Sequence, residues 1–197
     1  MFTYGCDPEL FVKNAKGKYI SAHDLIPGTK EEPFKAPGGA VQVDGMAVEF
    51  NIEPVDNVDD WEKNISLVLE SLRDMLPGCT LVAEPSARFT PKIWEATPDE
   101  AKELGCNPDF NAYTKLPNPR PNGIERVRGA GGHIHIGWRK EADIDVENDI
   151  HLENCRKLVK QLDRYVGIPS LQFDKDMKRR KMYGLAGAFR PKPYGVE

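Results

Sequence analysis

The chain has 197 residues, of which 40% are hydrophobic and 29% charged, a balance that excludes both disorder and a membrane-embedded protein. Its 27 basic and 31 acidic side chains leave a net charge of −4, and the basic residues form no long block, which argues against a nucleic-acid partner. No apolar run nears the ~20 residues that span a bilayer and no signal peptide precedes the first strand pattern, so a single soluble, cytoplasmic domain with no membrane partner is expected. Cysteines at 6, 79, 106 and 155 lack C-x-x-C spacing, so they read as reduced thiols, Cys6 in a strand and Cys155 packed on a helix.

In chain order, residues 2–12 read as a strand that returns through Asn14–Lys18 to Tyr19-Ile20 as a hairpin. Residues 27–40, with three prolines and three glycines, read as a loop. Val41 to Glu53 reads as two short strands broken at Asp44-Gly45, a good hairpin turn. Asp59 to Leu76 carries Trp61, Ile65, Val68, Leu72 and Met75 at helical spacing and stops at Pro77-Gly78. Thr80 to Glu84 predicts a strand. Thr97-Pro98-Asp99-Glu100 reads as a capping box opening a short helix that ends at Gly105. Residues 106–131 are rich in Pro, Gly and Asn and predict a long loop. Glu147 to Val166 predicts a second long helix burying Ile150, Leu158, Leu162 and Tyr165, and Pro169 opens a further helical segment through Lys181. Hairpins separated by long helices favour α+β over a parallel sheet: a curved, mainly antiparallel sheet with helices packed on one face.

Three patterns carry chemistry. Gly132-His133-Ile134-His135-Ile136-Gly137-Trp138 reads as a short buried strand, on which alternation turns both imidazoles to one face. A lone buried His is more often a satisfied core residue, but two on one face, beside carboxylate-bearing strands, favour a site. In Asp7-Pro8-Glu9, two carboxylates on one strand face repel unless a cation or Arg lies between them. Asp7 reads equally well as a turn cap, whereas Glu9 precedes the apolar Leu10-Phe11-Val12. Along 44–53, Ala47, Glu49, Asn51 and Glu53 alternate with Met46, Val48, Phe50 and Ile52, a pattern that serves a solvated strand face equally well. Soft ligands are too few for structural zinc. Carboxylates with a single His suit Mg²⁺ or Mn²⁺. Toward the C-terminus stand Lys178, Arg179, Arg180, Lys181, Arg190 and Lys192. The run 178–181 reads as a solvated helix face, while Arg190 lies among apolar and rigid residues, where its fork matches phosphate or carboxylate oxygens.

Four motifs in order resemble the phage-type COOH–NH2 ligases (amidoligases) of type 2, within the glutamine synthetase-like carboxylate–amine ligases. They are Gly5-Cys6-Asp7-Pro8-Glu9-Leu10-Phe11, Asp44-Gly45 to Glu49-Phe50-Asn51, Gly131 to Gly137, and Tyr183-Gly184 with Ala188 to Glu197. The resemblance implies a glutamine synthetase catalytic-domain-like fold and ATP- and Mg²⁺- (or Mn²⁺-) dependent amide-bond formation through an acyl phosphate. The carboxylate and amine substrates would be small molecules or peptides, and the setting the cytoplasm of an infected host cell. By order, the resemblance implies metal ligands at Asp7, Glu9, Glu49 (with Glu53 the second choice on that strand), His133 and Glu197, and nucleotide contacts at His135, Arg179, Arg190 and Lys192. Arg190, with Arg179 or Arg180, would clamp the transferring phosphoryl group, and a carboxylate such as Glu53 would take the amine proton. The Gly38-Gly39 loop and the stretch 106–128 would cover the site and exclude water, with Asn111, Tyr113 and Arg128 as candidate substrate contacts. The family pattern continues past the position matching Glu197, which predicts a sheet edge left open. Two alternatives stand beside this reading: a metal-dependent hydrolase using His133 and His135, and a non-catalytic protein with a degenerate ligase fold.

Overall fold

The computed structural model describes residues 1–103, 109–119, 124–138, 145–177 and 184–197. The fold is α+β with antiparallel sheets. Strands β1 (Thr3–Cys6), β2 (Glu9–Lys13), β3 (Tyr19–Ile20), β4 (Phe34–Ala36), β5 (Gly39–Asp44) and β6 (Ala47–Ile52) precede helix α1 (Val58–Met75). Then come β7 (Thr80–Val82), β8 (Ser86–Arg88), α2 (Pro91–Ala96), α3 (Asp99–Lys102), β9 (Phe110–Asn111), β10 (Val127–Gly129) and β11 (Ile134–Gly137). Helix α4 (Asp149–Leu162) continues through a π-helical turn, Asp163–Gly167, into α5 (Ile168–Ser170). The short strands β12 (Ala188–Phe189), β13 (Pro191–Lys192) and β14 (Gly195–Val196) follow. No helix among the described residues is long and apolar enough to cross a membrane.

The chain divides into two compact units, one of Tyr4–Gly105 with Gly123–Ile134, the other of Met1–Thr3, Cys106–Asn122 and His135–Glu197. In the first unit a curled antiparallel sheet runs β3-β2-β6-β5-β4, with β7 also paired to β2. Side chains alternate across it. Leu10, Val12, Val41, Val48, Phe50 and Ile52 face α1 and pack on its Val68 and Leu72. The other face carries Phe11 and Ala47, which pack with Met46, Ala87, Phe89 and Ala130 in a second apolar cluster. The apolar stripe expected for α1 is therefore the surface that covers one side of the sheet.

Asn57 caps α1 by accepting a hydrogen bond from the Asp60 N–H at 2.9 Å, and Asp59 and Asp60 sit in the first turn where the helix dipole favours negative charge. Asn57→Ala should cost about 1 kcal/mol, read as a lower midpoint in urea unfolding. An unchanged midpoint would mean that water caps this end as well as the amide does.

Several expectations are revised. The strand expected over 2–12 breaks at Asp7-Pro8, because proline has no N–H for the ladder. The loop expected over 27–40 contains β4, which pairs with β5 around Pro37-Gly38. Gly38 takes φ 82°, which a type II turn with proline before glycine supplies. That turn packs against Asn64 of α1, on the helical side of the sheet, so Gly38 and Gly39 do not cover the opposite face. Thr97 does not cap α3. Its hydroxyl and N–H close α2 by donating to the Ile93 carbonyl, and α3 follows Pro98 with no side-chain cap. The sequence Thr90-Pro91 does open a helix, α2, with the Thr90 side chain as its cap.

In the second unit, β11, β14 and β13 form an antiparallel sheet and β9 pairs with β12. Helix α4 packs here against β12, β13 and β14, whereas the expectation put both long helices behind a single sheet. Its buried stripe is His151, Cys155 and Val159. Leu158 and Leu162 pack at its margin, while Ile150 is 69% and Tyr165 65% exposed, against expectation. The reason is that His151 finds buried partners. Its Nε2 lies 3.0 Å from the Lys192 carbonyl, and one turn on the Cys155 thiol donates to the Gly195 carbonyl. A polar residue with such partners turns the helix inward by about one position relative to its apolar pattern. Of the helix expected over 169–181, the described residues show α5 and, after a break, Met177, and 178–181 lie outside them.

Candidate functional site

The acidic face of the first unit's sheet follows from strand register. Glu9 on β2 stands directly opposite Glu49 on β6, and Gln42 on β5 opposes Glu49 from the other side. Asp44, two residues beyond Gln42, shares their face. Carboxylate oxygens of Glu9, Asp44 and Glu49 lie within 4.8 Å of one another. Like charges opposed across strands destabilise a sheet, so this arrangement demands protons or a cation.

The electrostatics state that demand directly. Burial, then the charges of Asp44, Asp7 and Glu9, push the Glu49 carboxyl up to about 8, against a hydrogen bond from Gln42 that favours its ionised form. Glu9 is also raised, first by burial and then by Asp44. Two effects oppose this: the Gly131 N–H donates to its Oε2 at 2.9 Å, and His133 lies within electrostatic reach. A carboxyl that keeps its proton near neutrality is one a divalent cation can ionise by binding.

Asp7 and His133 form a pair in the same unit. The His133 N–H donates to Asp7 Oδ1 at 2.6 Å, and ring Nδ1 lies 3.0 Å from Oδ1 and 3.1 Å from Oδ2. Of the expected metal ligands, Asp7, Glu9, Glu49 and His133 thus belong to one unit, three of them coupled to Glu49 or Glu9 through their charges. Glu53 is exposed just past the end of β6, its N–H bonded to the Gly38 carbonyl. Arg128 is 8% exposed, its guanidinium stacked over Trp94 with 4.4 Å to the ring centroid and donating to the Val127 carbonyl.

The remaining expected residues lie in the second unit. His135 Nδ1 is 2.5 Å from the Tyr194 hydroxyl. Arg190 is engaged by Asp109 at 2.8 Å and by Glu197, and Lys192 reaches the other Glu197 oxygen at 2.5 Å. The Glu197 side chain is 4% exposed and held between those two cations, which already offset its charge. The Asn111 side chain accepts from the Tyr113 and Thr114 N–H groups and donates to the Ala186 carbonyl, so it shapes its own loop. Tyr113 is 52% exposed and bonds Asp163 through its hydroxyl. Arg179 and Arg180 lie outside the described residues.

Asp44 and Gln42 are members that the sequence reading missed. Asp44 read as a turn residue before Gly45, yet it is the last residue of β5, paired with Ala47, and the turn is Gly45-Met46 with Gly45 at φ 57°. The alternation Gln42, Asp44 was the available signal. The donor set suits a hard cation: carboxylate oxygens with one imidazole nearby fit Mg²⁺ or Mn²⁺ better than zinc. The chain matches no family model, no curated protein and no solved structure.

Proposed function

We propose that the protein is a divalent-cation- and ATP-dependent carboxylate–amine ligase with a glutamine synthetase-like sheet, acting in the cytoplasm on small-molecule or peptide acids and amines. The observation that carries the reading is the Glu9–Asp44–Glu49 cluster, on the sheet face that α1 leaves uncovered, with Glu9 and Glu49 at positions where the ligase motifs call for acidic ligands. Glu9, Asp44 and Glu49 would hold Mg²⁺ or Mn²⁺, which when bound screens the oxygens of a nucleotide tail and offsets charge on the transferring phosphoryl group. The chain's own part is to hold the oxygens still. The Gly131 N–H fixes Glu9, Gln42 fixes Glu49, and Asp7 fixes the imidazole of His133.

A carboxylate at neutral pH is a poor acyl donor. Transfer of the γ-phosphoryl to it yields an acyl phosphate and ADP. Attack by the amine then forms the amide, releases phosphate and gives up a proton to solvent or a nearby carboxylate such as Glu53. The test is calorimetry with Mn²⁺ and a non-hydrolysable ATP analogue, followed by phosphate release across a panel of acids and amines. We expect nucleotide binding only with the cation, and phosphate release only with both co-substrates. A folded protein that binds the cation but no nucleotide would refute the ligase reading.

A further inference from the structure

We infer that residues 163–177, which continue helix α4, are the surface on which two copies of this chain pair about a twofold axis. The pairing is independent of the ligase reading.

Helix α4 buries His151, Cys155 and Val159, but its continuation buries no residue. At the end of α4 the turn widens, and the Ile168 N–H donates to the Asp163 carbonyl, five residues back. Pro169 accounts for the widening, since a regular turn would press its ring against the Tyr165 carbonyl. From there Asp163–Gly167 and Ile168–Ser170 contact chiefly α4 and each other. The backbone closes on itself. The N–H groups of Leu171, Gln172 and Phe173 donate to the carbonyls of Ile168, Pro169 and Ser170 at 2.9–3.2 Å. The Ser170 hydroxyl donates to the Gly167 carbonyl at 2.7 Å, and Lys175 Nζ to the Leu171 carbonyl at 2.9 Å. Covering this segment would therefore strip water from few unsatisfied backbone groups.

Its side chains are the ones that want cover. Tyr165, Val166, Ile168, Leu171, Phe173 and Met177 are 47–84% exposed. At roughly 150–200 Å² per large side chain, they present on the order of 650 Å² of surface. The largest apolar patch on a monomeric protein is about 300–600 Å², and each partner in a stable complex brings about 800 Å². The segment thus supplies most of one side of an interface. Tyr, Phe and Met are also residue types enriched where interfaces are driest.

The charges around the patch select the occupant. Lys160, Arg164 and Lys175 stand with Asp163, Asp174 and Asp176, three of each sign. A twofold interface sets one patch against itself, so a rim of a single sign would repel its own copy. A balanced rim can pair each sign with its opposite across the axis. An anionic bilayer or a nucleic acid would call for a basic face instead.

Sedimentation velocity on the full chain, from about 1 to about 100 μM, tests the pairing. We expect the mass to rise from 22.1 kDa toward twice that value and to stop there, because a twofold contact closes. Phe173→Ser and Ile168→Ser should each raise the dimer Kd about 30-fold or more. Both side chains are exposed in the single chain, so circular dichroism and the urea midpoint of dilute protein should match wild type. Hydrogen exchange on wild type needs no substitution, and amides of 163–177 should exchange more slowly as concentration rises. A wild type that stays monomeric throughout would overturn the inference, whether or not it floats with phosphatidylserine vesicles; flotation would give the patch to a lipid surface. Association that continues past two copies, a dimer untouched by both substitutions, or concentration-dependent protection confined to other segments would each overturn it as well.

Discussion

Glu49→Gln is expected to stabilise the metal-free protein above about pH 8 while weakening its hold on Mn²⁺. The Glu49 carboxyl is raised from 4.5 to about 8 in the folded chain. The unfolded chain releases that proton near the ordinary value, and the folded chain keeps it. Stability from this group is therefore fully present below about pH 4.5 and is lost as pH rises through about 8. After a discount for partial solvent access, the loss amounts to about 3–4 kcal/mol. Glutamine cannot ionise and can still bond Gln42, so the variant should escape this loss.

For a chain of this length the difference corresponds to roughly 6–16 °C in the thermal midpoint at about pH 9. Near pH 4.5 the two proteins should melt together. Adding Mn²⁺ at about pH 8 should reverse the order. At a thousandfold excess over Kd, the wild type gains about 4.1 kcal/mol, slightly more than that loss, and the variant gains little. Thermal melts across pH with and without Mn²⁺ decide the matter. A variant less stable than wild type at every pH would show that Glu49 serves packing rather than a cation.

Phe11→Ala should cost about 3–5 kcal/mol, the range for emptying a buried aromatic site. The ring is fully buried and meets Tyr19 and Phe89 edge-on, with centroids 5.9 and 6.0 Å apart. Each such pair adds about 0.5–1.5 kcal/mol beyond the area it buries. Phe11 also lies two residues from Glu9 on the same strand face, and Met46 and Ala47 of the adjoining hairpin pack in its cluster. The cavity would thus open beside the acidic site on the same sheet face, and Mn²⁺ affinity should fall together with the urea midpoint. A loss under about 1 kcal/mol would mean that Tyr19 and Phe89 collapse into the space.

Local pattern was a good guide wherever a single element determines its own surface. The hairpin from β2 to β3, the hairpin from β5 to β6 and the apolar stripe of α1 all follow from alternation, turn residues and helical spacing within some twenty residues. Glu49 could be placed on the polar face of its strand by counting alone. The phase of α4 could not, since apolar spacing treats His151 as a surface residue, and only the carbonyl of Lys192 makes its burial favourable. The two short helices α2 and α3 were confused for a related reason: Thr97 can cap forward or close backward, and the contest is decided by the Ile93 carbonyl already waiting for a donor.

The amino-acid order by itself determined which carboxylates and imidazoles stand on strands and which side of each strand they occupy, because side-chain alternation is a property of one extended segment. Tertiary structure alone decided which of them meet. Pairing of β2 with β6 sets Glu9 against Glu49, the β5–β6 register brings in Asp44, and the close passage of Gly132 past Pro8 gives His133 to Asp7. Each of these depends on the alignment of segments far apart in the chain, and a slip of one residue would send every one of those side chains to the opposite face.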